Sequence, residues 1–343
     1  MIDVSVIIPC YNEQATIREL LQTLYAQDYP SEKMEVIIAD GMSTDNTRGI
    51  IREFKEKHPD FSVKVIDNLQ RIIPAGLNRA LEEAQGEYIV RLDAHSSPAA
   101  DYISRSLQAL REGKGDNIGG LLKIEPSAET WIAKSIAVAA GHPLGVGDAR
   151  YRIGSAAREV DTVAYGTYRS SLIDEIGSYD ESLLANEDYE FNVRLRQSGG
   201  KVWLDPAIRT TYVARSSLPE LGRQYWRYGY WKLRMLLRYP STFRWRQLSG
   251  AFLLSWIVLG VLSIPFSIAR WLLLFEAIVY GLALLISGIQ TSLRERDWRL
   301  MFGVPLAIAT MHFSWGAGFL WSLVEYVMGR SGKGDAARKK SVE

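Results

Sequence analysis

Two short stretches carry residue types that can do chemistry. Asp93-Ala94-His95 closes the apolar run Tyr88–Leu92. Residues two apart in an extended chain point the same way, so Asp93 and His95 can reach one ligand while Ala94 lets it approach. A carboxylate beside an imidazole suits Mn2+ or Mg2+, and the nitrogen donor leans toward Mn2+. A strand-end aspartate that caps a turn is the plainer alternative. The second stretch is Asn186-Glu187-Asp188-Tyr189-Glu190, ahead of a helical pattern through Arg196. Carboxylates are favoured in a first helical turn by the macrodipole. One of them held ionised near neutral pH can instead take a proton from an attacking hydroxyl.

The elements that must position these residues follow from hydrophobic periodicity. Val4–Ile8, Glu35–Ala39, Val63–Ile66 and Glu87–Leu92 are β-rich apolar runs. Between them, Ile17/Leu20/Leu21/Leu24, Arg48–Lys57 and Ala75–Ala84 have helical spacing, with Asn46 or Thr47 as a cap for the second. Strand–helix alternation with short connections predicts an α/β, doubly wound, mostly parallel sheet. Such sheets bind ligands in the crevice at the carboxyl ends of their strands. Tyr11, Asn12 and Glu13, then Asp40, Ser43 and Asp45, then Asp93 and His95 all fall at those ends. Neither G-x-G-x-x-G nor G-x-x-x-x-G-K-[ST] occurs, which disfavours the usual dinucleotide oxidoreductase and ATPase and means that any nucleotide would be held by side chains rather than by a glycine cradle.

Composition sets the rest of the frame. The 343 residues carry 40 Lys+Arg against 39 Asp+Glu, a net charge of +1, which disfavours a nucleic-acid binder working through bulk charge. The single cysteine, Cys10, excludes a disulfide framework and sits at a strand end as core filler. His142 and His312 have no partners nearby in sequence and read as packing or surface residues. Mean hydropathy near zero hides a strongly apolar last third. No charge falls between Gln247 and Ala269, only Glu276 interrupts the next run, and His312 is the sole ionisable residue from Leu300 to Val324. About 20 apolar residues cross a bilayer as a helix, so about three transmembrane helices are expected over 247–329. Pro265, Pro305 and the Gly316/Gly318 pair are places where a helix can break. Ahead of them, 216–246 interleaves Arg223, Arg227, Lys232, Arg234, Arg238, Arg244 and Arg246 with aromatic residues, as amphipathic interfacial helices do. The organisation expected is a cytosolic domain over 1–215, the interfacial helices, the membrane helices, and a basic tail over 330–343 that reads as disordered. With no opening signal peptide, the chain is expected in the cytoplasmic (inner) membrane, multi-pass, with its catalytic domain on the cytosolic side. Arg294, Arg296 and Arg299 suit a cytoplasmic loop.

Five features in order, over roughly Val4 to Trp231, resemble the inverting, GT-A-type family 2 glycosyltransferases. They are the Ile-Ile-Pro9-Cys10-Tyr11-Asn12-Glu13 opening, Asp40-Gly-x-Ser43-x-Asp45-x-Thr47, Gly86–Asp93, Glu187-Asp188, and Gln224-Tyr-Trp-Arg227-Tyr228. The Asp-Ala-His form, Pro74–Asn78 and the C-terminal apolar segments are similar to succinoglycan-type exopolysaccharide enzymes. His95 stands where the family's D-x-D has its second aspartate, and Tyr228 stands where its Q-x-x-R-W has tryptophan.

The resemblance implies a membrane-bound transferase that moves a hexose such as glucose from a nucleotide-sugar donor, UDP-linked by preference, to a polyprenyl diphosphate-linked saccharide. A polyprenyl-phosphate sugar synthase is the alternative. It implies that Pro9, Tyr11, Glu13, Asp40, Arg71 and Asp93 bind the donor. Asp93 and His95 then hold Mn2+ or Mg2+ at the diphosphate, and Asp188 is the base. Glu187, Gln224, Arg227, Tyr228 and Trp231 serve the acceptor or the diphosphate, with lipid and not nucleic acid as the macromolecular partner.

Overall fold

The computed structural model describes residues 2–154 and 156–329; the expected basic tail lies outside them. The chain divides into two compact units. One comprises residues up to Glu125 together with Ala149–Val213, and the other Pro126–Asp148 together with residues from Ala214 onward.

In the first unit β1 (Val4–Cys10), β2 (Met34–Asp40), β3 (Ser62–Asp67) and β4 (Tyr88–Arg91) are linked by α1 (Ile17–Tyr25), α2 (Thr47–Lys57) and α3 (Ile73–Glu82). The strands pair in the order β3-β2-β1-β4, all parallel. Every residue of β1, β2 and β4 is buried, which is why they read as continuous apolar runs rather than as alternating ones. Beyond β4 come β5 (Ser96–Pro98), α4 (Tyr102–Arg111) and β6 (Asn117–Glu125). The chain then leaves for the second unit through α5 (Trp131–Ala140) and α6 (Pro143–Val146). It returns with α7 (Arg150–Ile153), β7 (Arg158–Glu159), β8 (Thr167–Arg169), α8 (Leu172–Ile176), α9 (Glu187–Gln197) and β9 (Val202–Val213). This half of the sheet is mixed: β8 is antiparallel to both β4 and β6, β9 is parallel to β6, and β5 and β7 are antiparallel to β9. Ile7, Ile37, Leu77, Ile89, Tyr168, Phe191 and Leu204 belong to one buried core. Cys10 is buried as expected, and its burial pushes the thiol pKa up.

The second unit contains α10 (Leu218–Arg238), α11 (Ser249–Leu262), α12 (Ser267–Glu295) and α13 (Leu300–Val327). Among the described residues, α12 and α13 are long and apolar enough to cross a membrane. The 14 residues of α11 extend about 21 Å, short of a bilayer core of about 30 Å. The chain breaks at Pro265, between α11 and α12, whereas Pro305, Gly316 and Gly318 lie inside an uninterrupted α13. Residues 216–247, most of them expected to lie at an interface, form one long helix and two short 3-10 turns. Helix α10 meets α13 by close backbone approach. A Cβ on Gly229 would sit 2.0 Å from the Trp315 carbonyl oxygen, and one on Gly318 would sit 2.1 Å from that of Trp226. Pro126–Asp148, expected within a head of 1–215, belongs here instead, because the small residues of α5 pack on α13. A Cβ on Gly303 would meet the Ser135 side chain. His312 Nε2 reaches the Leu144 carbonyl at 2.9 Å and its Nδ1 reaches the Tyr280 hydroxyl at 3.0 Å, so its partners come from distant sequence.

Candidate active site

Asp93 and His95 lie just past the end of β4, and Asp188 lies in the first turn of α9. What joins them is Arg91, the last residue of β4 and only 2 % exposed. Its Nη1 is 2.9 Å from Asp93 Oδ1, its Nη2 is 3.4 Å from Glu187 Oε1, and its Nε is 3.3 Å from Asp188 Oδ1. Its guanidinium carbon also lies over the Tyr165 ring, 5.3 Å from the centroid. Asp93 and Asp188 therefore lie within roughly 9 Å of each other, since both touch one planar guanidinium. Among the described residues Arg91 is ion-paired with all three carboxylates, so negative charge is concentrated around one guanidinium. Burial, then the Glu187 and Asp93 charges, push the Asp188 carboxyl up to about 7 against the opposing pull of Arg91. A carboxyl poised there can exchange a proton at physiological pH.

Arg91 escaped the sequence reading, although a signal was present. A lone arginine inside Tyr-Ile-Val-Arg-Leu is a charge in a strand that must be buried, and buried charges are paired.

Helix α9 is fixed from several sides. Phe191 stacks on Tyr179 and tilts against Tyr168, at centroid distances of 4.8 and 5.0 Å. Asn192 bonds Asn117 and Thr162. Arg194 holds Glu190 and donates to the carbonyls of Ile176, Gly177 and Ser178. The loop ahead of α9 is tied to α3, where the Asn78 amide donates to the Tyr179 carbonyl (2.9 Å) and accepts from its N–H (2.8 Å). The Pro74–Asn78 motif thus sets the approach to Asp188.

On the donor side the candidates separate. Tyr11 is exposed, and Arg71, also exposed, has a left-handed backbone with φ of 58°. Pro9 is enclosed within β1. Asp40 is 0 % exposed, with Oδ1 bonded to the Ser43 hydroxyl and Oδ2 to the Ser43 N–H and Arg48. These bonds brace the loop after β2. Glu13 turns toward His95, its Oε1 lying 2.9 Å from Nδ1. Asn12, Met42, Arg71, Tyr165 and Asn186 all have positive φ and all sit at chain turns beside these residues. Non-glycine residues in that region are costly and cluster at functional sites. Gln224, Arg227, Tyr228 and Trp231 belong to α10 in the second unit, where Gln224 bonds the Tyr228 hydroxyl at 2.9 Å and Trp231 is buried.

Among the described residues no three His, Cys, Asp or Glu side chains form a ready metal cage. The donor chemistry still fits a divalent cation. His95 Nε2 and Asp93 Oδ2 are 3.9 Å apart, too far to hydrogen-bond and close enough to share one ion. Two protein ligands suffice where substrate phosphates complete the shell.

Residues 5–171 match the family model described as glycosyl transferase family 2. The succinoglycan biosynthesis protein ExoA of Rhizobium meliloti is 30% identical over 329 residues, covering 94% of this chain and 95% of that protein. The chain belongs to glycosyl transferase family 2. A second relative of this family 2 member, from Methanococcus voltae, is 29% identical over 94% of this chain and 97% of its own length. It is named a dolichyl N-acetyl-alpha-D-glucosaminyl phosphate 3-beta-D-2,3-diacetamido-2,3-dideoxy-beta-D-glucuronosyltransferase. Among solved structures, a mannosyltransferase from Pyrobaculum calidifontis, in complex with GDP-Man and Mn2+, superposes with a TM-score of 0.57 at 20% identity, over 90% of this chain and 86% of that one. The fold is thus GT-A-like, and this chain is a glycosyltransferase of the exopolysaccharide and glycan synthesis type.

Proposed function

We propose that this chain transfers a hexose, with inversion, from a UDP-linked donor to a polyprenyl diphosphate-linked saccharide at the cytosolic face of the inner membrane. The observation that carries this reading is Arg91, which gathers Asp93 and Asp188 at the mouth of the parallel strands. Asp188 accepts the proton of the acceptor hydroxyl as its oxygen bonds to the anomeric carbon. The anomeric carbon–phosphate oxygen bond breaks on the opposite side, and its electron pair leaves with the nucleoside diphosphate. A single displacement of this kind turns an α-linked donor into a β-linked product. Asp93 and His95 are the residues that would hold Mn2+ or Mg2+. When bound, such an ion supplies positive charge to the departing diphosphate. Tyr11 and Arg71, exposed at the ends of β1 and β3, bind the base and phosphates of the donor.

Two long apolar helices and the name of the Methanococcus relative, whose acceptor is a dolichyl-linked sugar phosphate, support a lipid-linked acceptor. Anchoring the site where the acceptor's sugar emerges from the bilayer raises encounter frequency and fixes orientation.

The test incubates the purified protein in lipid nanodiscs with radiolabelled UDP-sugars and polyprenyl diphosphate-linked saccharides, followed by lipid extraction and linkage analysis. Labelled lipid with a β linkage, lost in Asp188→Asn, is expected. Full-rate transfer by Asp188→Asn onto polyprenyl phosphate would replace this reading with the sugar-phosphate synthase, whose acceptor needs little base assistance. No labelled lipid with any donor would overturn it.

A further inference from the structure

His95 is held as well as placed. Its Nδ1 lies 2.9 Å from Glu13 Oε1, while its Nε2 faces Asp93 Oδ2 at 3.9 Å. Glu13 has little freedom of its own. Its Oε2 accepts from the Thr16 hydroxyl at 2.6 Å, its N–H donates to the Thr47 hydroxyl at 2.8 Å, and its carbonyl accepts the Ile17 N–H that opens α1. Thr47 is in turn bonded to Asp45 at 2.6 Å. Glu13 is thus a carboxylate braced by β1, α1 and α2, aimed at one nitrogen of one imidazole.

From this geometry we infer that Glu13 is a positioning residue: by accepting a hydrogen bond from Nδ1–H it fixes the tautomer and ring orientation of His95, so that Nε2 presents its lone pair beside Asp93. The inference rests on the proposed metal site and deepens it. A carboxylate ligand has two equivalent oxygens and needs no tautomer chosen for it, whereas an imidazole ligates through one nitrogen only when the proton is held on the other. Partners of that kind orient metal-bound histidines and raise their basicity, and losing one costs about 10–100-fold in metal affinity. The histidine in Asp-x-His and the glutamate after Tyr11-Asn12 therefore form one functional pair across 82 residues of sequence. Glu13 then acts on the ion through His95 rather than directly on the donor.

The experiment measures Mn2+ affinity of the full-length protein in detergent with UDP present, from the loss of the free Mn2+ electron paramagnetic resonance signal. It compares the parent chain with Glu13→Gln, His95→Asp, the double variant and His95→Ala. Thermal melting without Mn2+ verifies that each variant is folded. Glu13→Gln is expected to weaken Mn2+ about 10-fold or more in the parent. In the His95→Asp background it is expected to change affinity less than about 3-fold, since no tautomer remains to be fixed. Nitrogen coupling to the bound Mn2+ is expected in the parent and absent in His95→Asp. Equal losses from Glu13→Gln in both backgrounds, or no loss in either, would overturn the inference while leaving the metal site standing. Undiminished Mn2+ binding by His95→Ala would remove His95 as a ligand, and the proposed metal site would fail with it.

Discussion

The crowding of three carboxylates on one guanidinium makes a prediction about stability that is separate from catalysis. Asp188→Asn should abolish transfer and make the protein more stable near pH 8. The Asp188 carboxyl is raised from 3.8 to about 7, by burial first and then by Glu187 and Asp93. An acid whose folded pKa exceeds its unfolded pKa holds more protons folded than unfolded between those two values, so stability falls as pH rises through that window. Three units at about 1.4 kcal/mol each set a ceiling near 4 kcal/mol. The side chain keeps 26% exposure, and solvent screening brings the expected gain to about 1–3 kcal/mol. Removing the charge leaves Arg91 still paired with Asp93 and Glu187, so no buried cation is orphaned. Melting temperatures of both proteins without added metal, from pH 4 to pH 9, should coincide at the acid end. They should separate up to about pH 7 and stay parallel above it, by about 2–4 °C per kcal/mol. A variant less stable than the parent at pH 8, or a gap independent of pH, would refute the charge-crowding argument.

Arg91→Gln acts in the opposite sense, because it leaves three carboxylates together without their cation. A loss of about 3–5 kcal/mol is expected above pH 7, shrinking on acidification as the carboxyls protonate, and the same melting series reads it. In the second unit, Gly318→Val drives a side chain into the Trp226 carbonyl and should lower the melting temperature of the detergent-solubilised protein by the equivalent of at least about 1–3 kcal/mol. Gly281→Val, where a Cβ meets nothing within 4 Å, is the matched control and should melt as the parent does.

Much of this protein is written locally. The parallel strands show as unbroken apolar runs because both faces of β1, β2 and β4 are covered, and α1 shows because its Ile17, Leu20, Leu21 and Leu24 share one buried face. Asp93, His95, Glu187 and Asp188 could be singled out because their types and spacing already suggest chemistry. The apolar lengths of α12 and α13 are likewise a one-dimensional property. Partnership is another matter, since burial and hydrogen bonding depend on what the fold delivers from elsewhere in the chain. Only the tertiary structure brought Asp188, 97 positions beyond Arg91 in the sequence, onto its guanidinium and bonded Asp40 to Ser43 and Arg48. It also gave His95 to Glu13 and His312 to Leu144, and carried Pro126–Asp148 out of the sheet to pack against α13. Residue type fixes what a side chain can do; its neighbours in space decide which proton it holds and which charge it must balance.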